Sequence, residues 1–327
     1  MTINDAKKKT VSIAMCTYNG GKFLKEQLVS ILSQTHQPDE IIICDDQSQD
    51  NTVDLAESIL SEWNGKWQVI VNDENIGFKK NFQKAMSLCT GDIIFLSDQD
   101  DVWSFDKIEK MLPTFDNQEV LLSFHDATLV DEYLNLLYPS FWKTLSFDID
   151  SFQKEDFRII FSYNVMQGAS CCFRKELYQI AKPFPNNVFH DEWLLLVALC
   201  SGVVVPVDSS LLKYRQAQNV VGGMPLTTLE KIKKWLATIH EATKNHFTYI
   251  EERNFLYSAL GKHFISNQPG HSSFYKQVPS FELFLKQRLL ATKHIKSYPK
   301  KSEYEHWYPQ KIAKKQRIKD YLLKLGF

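Results

Sequence analysis

The stretch Ile93-Ile94-Phe95-Leu96-Ser97-Asp98-Gln99-Asp100-Asp101-Val102-Trp103 decides the fold and points at the chemistry. Its apolar start reads as a strand buried on both faces, the kind found in a parallel sheet covered by helices. Working outward, Val11–Cys16, Glu40–Cys44 and Trp67–Val71 have the same character. Lys22–Ser33, Thr52–Trp63, Phe78–Leu88 and Phe105–Phe115 carry apolar residues at helical spacing. Strands alternating with helices predict an α/β fold with a Rossmann-like, mostly parallel sheet flanked by helices.

In such sheets ligands collect beyond the carboxyl ends of the strands. The residues there are Thr17-Tyr18-Asn19-Gly20-Gly21, Asp45-Asp46-Gln47-Ser48, Asn72-Asp73-Glu74-Asn75-Ile76-Gly77 and Ser97-Asp98-Gln99-Asp100-Asp101. Any one of these loops reads equally well as a turn or a helix cap. Their coincidence at one sheet edge favours a polar site.

Asp98, Asp100 and Asp101 crowd like charges onto one strand end. A hard divalent cation, Mg²⁺ or Mn²⁺, relieves that repulsion and leaves coordination positions for phosphate oxygens. An acidic turn capping the helix near Phe105 is the alternative. Neither G-x-G-x-x-G nor G-x-x-x-x-G-K-[ST] occurs, which removes the best evidence for a dinucleotide dehydrogenase or a P-loop kinase. A diphosphate bound here has to be met by metal.

The chain has 327 residues, 44% hydrophobic and 24% charged, a composition that excludes collagen, disorder and a disulfide scaffold. The formal net charge is -1, but Thr228–Phe327 hold 19 Lys and Arg against 8 Asp and Glu. The front is therefore acidic and the back basic. Six cysteines without a C-x-x-C pair fit reduced core thiols. No secretory signal is read at the start, and the longest apolar run, Trp193–Val207, falls short of a membrane span. A cytoplasmic location is the expectation.

Together, Val11-Ser12-Ile13-Ala14-Met15-Cys16-Thr17-Tyr18-Asn19-Gly20, the Asp45-Asp46-Gln47-Ser48 loop, Asn75-Ile76-Gly77 and Ser97-Asp98-Gln99-Asp100-Asp101-Val102-Trp103 resemble the family 2 inverting glycosyltransferases of the GT-A fold. The resemblance covers about Val11–Gly223 and extends to bacterial rhamnosyltransferases of cell-surface polysaccharide synthesis. It implies a nucleotide-diphosphate sugar donor, dTDP-rhamnose or a UDP-hexose, and a saccharide acceptor, often lipid-linked. It places Thr17, Tyr18, Asn19, Asp45, Asp46, Ser48, Asn75, Gly77, Asp98, Gly168 and Arg215 around the nucleotide-sugar. Asp45 or Asp46 would accept from the pyrimidine N–H, and Asp98 and Asp100 would serve the metal.

His190-Asp191-Glu192-Trp193 matches the segment of the family's catalytic base, with Asp191 the candidate and Glu192 its neighbour. A helix cap is the local alternative. Gln167-Gly168-Ala169-Ser170 resembles the pocket floor. Tyr214-Arg215-Gln216-Ala217 departs from the family's pattern: Ala217 stands where relatives often carry His, and a methyl group cannot ligate metal. His125 and Asp126 are read as a core or capping pair that could contribute to the acceptor side. Two other classes compete. A haloacid-dehalogenase-type phosphotransferase shares the D-x-D but normally has a Thr shortly after it, where Val102 follows Asp101. A non-catalytic nucleotide-sugar-binding protein would not need Asp191.

The expected domains are 1–226, catalytic, and 227–327, basic and mainly helical, with helices over Leu229–His240, His246–Ile265, Phe274–Ile295 and Gln310–Leu325. Basic amphipathic helices with aromatic edges suit either an anionic membrane surface or packing on the core. No nucleic-acid module accompanies the charge, so nucleic acid is not an expected partner.

Overall fold

A computed structural model describes residues 9–216, 239–266, 272–292 and 298–324. Ala217 and most of Leu229–His240 lie outside the described residues. By contacts, the described residues form two compact units: 9–143, 166–198 and 202–216 in one, 144–165, 199–201 and those beyond 238 in the other.

The first unit alternates β1 (Val11–Thr17), α1 (Leu24–Leu32), β2 (Glu40–Asp45), α2 (Thr52–Leu60), β3 (Lys66–Val71), α3 (Phe78–Leu88) and β4 (Ile93–Ser97). All four expected strands form, each within a residue of its predicted bounds. Every residue of β1, β2 and β4 is buried. Each large aliphatic side chain so buried contributes about 1.5–3 kcal/mol, which is why these runs become inner strands.

In chain order β5 (Val102–Trp103), α4 (Lys107–Met111), β6 (Val120–Val130), β7 (Leu136–Tyr138), α5 (Phe141–Leu145), α6 (Ile149–Gln153, in the second unit), β8 (Cys171–Arg174), α7 (Lys175–Ala181), α8 (His190–Ser201) and β9 (Val203–Arg215) follow. The expected helix Phe105–Phe115 is instead α4 followed by a 3-10 turn over Leu112–Asp116. Pro113 explains the change, because it has no N–H to continue an α-helical ladder.

The sheet runs β3-β2-β1-β4-β8-β6-β9-β5, with β7 added to β6. β3, β2, β1 and β4 are parallel, with Cys16 beside Cys44 and Met15 beside Ser97. β8 runs antiparallel to both β4 and β6. The sheet is thus mixed. Chain order reverses at β1, whose neighbours are β2 and β4, and that crevice is where such folds bind ligands.

The second unit contains α9 (Ile239–Ser266), α10 (Ser273–Thr292), α11 (Lys301–Trp307) and α12 (Gln310–Lys324). Phe161 sits among Phe274, Phe281 and Trp307, with ring centroids 4.5–5.3 Å away. Phe281, Phe284, Trp307 and Tyr308, aromatics of the basic helical region, are buried in this core. At its centre Arg288 donates to both Asp320 oxygens at 2.7 Å and to the Tyr308 hydroxyl at 2.8 Å. His246 Nε2 lies 2.6 Å from Asp320 Oδ1, so the buried carboxylate is fully partnered.

Candidate active site

At the β1–β4 crevice lies a cavity of about 470 Å³. The strand ends Thr17-Tyr18, Asp46, and Asp98-Gln99-Asp100 form one side of its lining, and Gln167-Gly168 with Phe189-His190-Asp191 another. Asn75, Gly77, Phe78, Asn81, Phe82, Cys16 and Tyr214 complete it. Asp98, Asp100 and Asp191, distant in sequence, therefore share one cavity. Among the described residues, four aspartates line the wall and no Lys or Arg does.

The β1 and β4 loops clasp each other: Tyr18 N–H donates to Gln99 Oε1 at 2.8 Å, and Gln99 Nε2 donates to Tyr18 O at 3.0 Å. Gly20 leaves room for this amide, since an added Cβ would lie 2.2 Å from Gln99 Oε1. Asn19 adopts a left-handed φ of 48° and receives Gln49 N–H on its side-chain oxygen at 2.8 Å, while its own N–H donates to Ser48 Oγ.

The paired aspartates after β2 separate into two roles. Asp45 is fully buried and accepts from Thr17 Oγ1 at 2.6 Å and from Ser48 N–H and Oγ at 2.7 and 2.6 Å. It stands behind the cavity wall with Ser48 and Asn19, bracing the loop. Asp46 reaches the cavity, and its carboxylate accepts Ile76 N–H, Gly77 N–H and Asn72 Nδ2, each at 2.8 Å. Its Oδ2 carries one of these bonds and retains a lone pair.

Arg215 differs from its expected place. It is buried away from the cavity lining, where its backbone N–H donates to Asp101 Oδ1 at 3.0 Å and its Nε to Asp100 O at 2.7 Å. Its remaining nitrogens hold the Glu132 carbonyl and, at 2.6 Å, Glu26. The guanidinium is committed to shaping the acidic loop, a bracing position outside the described lining of the cavity around which the resemblance placed it. His125 and Asp126 also lie outside the lining: His125 Nδ1 is 2.7 Å from Asp126 O, and Asp126 accepts Trp142 N–H.

Burial, and then the Asp100 and Asp191 carboxylates, push Asp98 up to about 7. Burial raises Asp100 as well, against the pull of Arg215. Asp101 is raised by burial and by both neighbours. Burial takes Lys107 down to about 7; its Nζ donates to Ala169 O at 2.6 Å and lies 3.6 Å from the Trp103 ring. This lysine fixes the floor segment beside Gly168, a role that its place in a charged-looking helix gave no reason to suspect. His190 stacks on Phe82 at 4.2 Å, and burial drives it down to about 3, so it is neutral.

Among the described residues no group of three His, Cys, Asp or Glu is arranged to hold a metal alone. Asp98 and Asp100 nevertheless fit a hard cation: they supply oxygen donors in a cavity lined by four aspartates among the described residues. Mg²⁺ characteristically takes one or two carboxylates and completes its shell with water and phosphate. Glu192, Asp191's neighbour, is buried and does not line the cavity. Asp191 Oδ1 accepts Glu192 N–H at 2.7 Å.

The family model described as Glycosyl transferase family 2 matches residues 12–178, which hold the clasped loops, the aspartates after β4 and Gly168. The chain belongs to that family. It is a glycosyltransferase. It is 28% identical over 279 residues to the dTDP-rhamnosyl transferase RfbG of Shigella flexneri, a match covering 80% of this chain and 93% of that one. It spans 37% and 53% of the length of two further curated glycosyltransferases that it matches. The structure of S. aureus TarS 1-349 in complex with UDP is similar with a TM-score of 0.53 at 15% identity, covering 97% of this chain and 90% of that chain. The mannosyltransferase PcManGT from Pyrobaculum calidifontis, in complex with GDP-Man and Mn²⁺, gives 0.55 at 14% identity over 89% of this chain and 73% of that chain. These two share the GT-A fold with the present chain.

Proposed function

We propose that the protein is a metal-dependent inverting glycosyltransferase that moves a sugar from a nucleotide diphosphate to a saccharide hydroxyl in bacterial cell-surface polysaccharide synthesis. The shared cavity of Asp98, Asp100 and Asp191 carries this reading. The donor is dTDP-rhamnose in the first instance, by similarity to RfbG, with a UDP-hexose as the competing donor. The acceptor is a saccharide on a lipid-linked chain, met at the inner face of the membrane. Among the described residues no helix is long and apolar enough to cross a membrane.

Asp46 accepts the imide N–H of thymine or uracil; neutral cytosine presents an acceptor at that ring position and is disfavoured. The backbone around Thr17, Tyr18, Asn75 and Gly77 surrounds the nucleoside. Asp98 and Asp100 would hold the divalent cation, which would supply neutralisation of the charge on the departing diphosphate. Gly168 lets the floor segment pack close to His190 and Asp191: an added Cβ would stand 3.2 Å from His190 Nε2.

Asp191 takes the proton of the acceptor hydroxyl as its oxygen bonds to the anomeric carbon. On the opposite face the bond to the diphosphate oxygen breaks and that oxygen keeps the electron pair, which inverts the configuration. Thermal-shift measurements across nucleotide sugars, with and without Mg²⁺ or Mn²⁺, test the reading through binding linkage. A rise in Tm for one pyrimidine-diphosphate sugar, dependent on metal, supports it. Equal shifts for every nucleotide, or none, count against it.

A further inference from the structure

The helical unit has a second cavity, of about 350 Å³, at α11 and α12. Lys301, Lys311, Lys314 and Arg317 line it together with Tyr304 and one carboxylate, Glu305. Glu305 is 3.4 Å from Lys301. Among the described residues no carboxylate lies within ion-pair distance of Lys311, Lys314 or Arg317. The nearby Asp320 is buried against Arg288 and His246 and gives no relief. This is a positive cleft of small-molecule size.

The solvent face of α12 continues the same character. Successive helix positions 311, 314, 318 and 321 fall on one side, because neighbours in space recur every three or four residues. Ile312, Ala313, Gln316 and Asp320 are buried on the other side. The outward stripe is Lys311 and Lys314 followed by Ile318, 47% exposed, and Tyr321, 60% exposed. Cations beside an exposed aliphatic group and a phenol suit a surface with a phosphate layer over an apolar layer. A purely ionic partner would leave Ile318 in water.

We propose that this cleft and stripe dock the protein on an anionic phospholipid surface, with a lipid phosphate among Lys311, Lys314 and Arg317 and with Ile318 and Tyr321 at the headgroup boundary. The proposal deepens the transfer reading by naming residues that meet the lipid, but its test does not use sugar transfer. Each basic residue near such a surface contributes about a fivefold factor in partitioning.

The test is co-sedimentation of the full chain with phosphatidylcholine vesicles, with and without phosphatidylglycerol. Phosphatidylglycerol-dependent binding is expected, with a loss on the order of a hundredfold in the K311Q/K314Q/R317Q variant. The charge-conserving K311R/K314R variant is expected to keep binding, and I318S/Y321S to weaken it. Equal binding to both vesicle types overturns the proposal, as does unchanged binding by the triple variant. So does full competition by millimolar inorganic phosphate, which would mark a free-phosphate site. Donor turnover on a water-soluble acceptor is expected to be the same in the triple variant. Its absence in every variant would tell against the transfer reading and leave the lipid result standing.

Discussion

Tyr18 and Gln99 exchange two hydrogen bonds, at 2.8 and 3.0 Å, and so lock the end of β1 to the acidic loop after β4. The two loops belong to neighbouring parallel strands at the point where chain order reverses. The clasp fixes the distance between the Thr17-Tyr18 side of the cavity and the Asp98 and Asp100 carboxylates.

Gln99→Ala removes the clasp without touching the core. The expected outcome is a fall in kcat/KM on the order of ten- to a hundredfold, because small misplacements of reacting groups are costly. Steady-state kinetics beside an unchanged far-UV circular dichroism spectrum check it. Gly20→Ala is expected to give a similar loss, since the new methyl group displaces the Gln99 amide.

Arg215 braces the same loop from behind. Arg215→Lys keeps the charge but loses the fork that spans Asp100 O, Glu132 O and Glu26. Leaving buried groups unpaired costs about 1–3 kcal/mol each, so a lower denaturant midpoint is expected together with weakened metal-dependent nucleotide binding. A variant with full stability and full binding would show that the loop holds its shape unaided.

Asp320 governs the stability of the helical unit. Burial pushes its carboxyl up, but Arg288 and the His246 and Arg288 hydrogen bonds outweigh this and hold it at about 2. Its contribution is therefore fully present above the ordinary carboxylate range and is lost as pH falls through about 2. Asp320→Asn leaves Arg288 buried without a counter-charge, at an expected cost of about 3–5 kcal/mol in chemical denaturation at neutral pH. The gap between wild type and variant is expected to begin narrowing once pH falls into the ordinary carboxylate range and to go on narrowing down through about 2.

Metal removal is expected to separate the nucleotide from its site. With chelator present, the Tm rise produced by a nucleoside diphosphate is expected to vanish, because the cavity wall has, among the described residues, four aspartates and no Lys or Arg. Persistence of the full shift would mean that diphosphate is bound elsewhere.

The parallel half of the sheet was legible because its strands are continuous apolar runs ending in polar loops. Ile93–Leu96 followed by Asp98 announces both a buried strand and a site. The antiparallel half was not: β8 is Cys171–Arg174, four residues without alternation, and its pairing with β4 and β6 depends on contacts distant in sequence. At the site, residue type identified the aspartates but not their direction. Asp45 and Asp46 are adjacent and chemically identical, yet the strand pleat turns one into the protein and the other to the cavity. Phe78, Phe82 and Phe189 line the cavity, and no rule on polar loops would have chosen them. Asn81 follows Gly77 by one helical turn, a spacing that could have placed it beside the loop.

Two single variants compared in one titration test the central claim most directly. Calorimetry of the donor nucleotide sugar with Mg²⁺ is paired with measured transfer for Asp191→Asn and Asp100→Asn. Asp191→Asn is expected to bind donor as wild type does and to lose transfer by a factor on the order of 10² to 10⁴. Asp100→Asn is expected to lose metal-dependent binding itself. Near-normal transfer by Asp191→Asn, or unaltered metal-dependent binding by Asp100→Asn, would contradict the account.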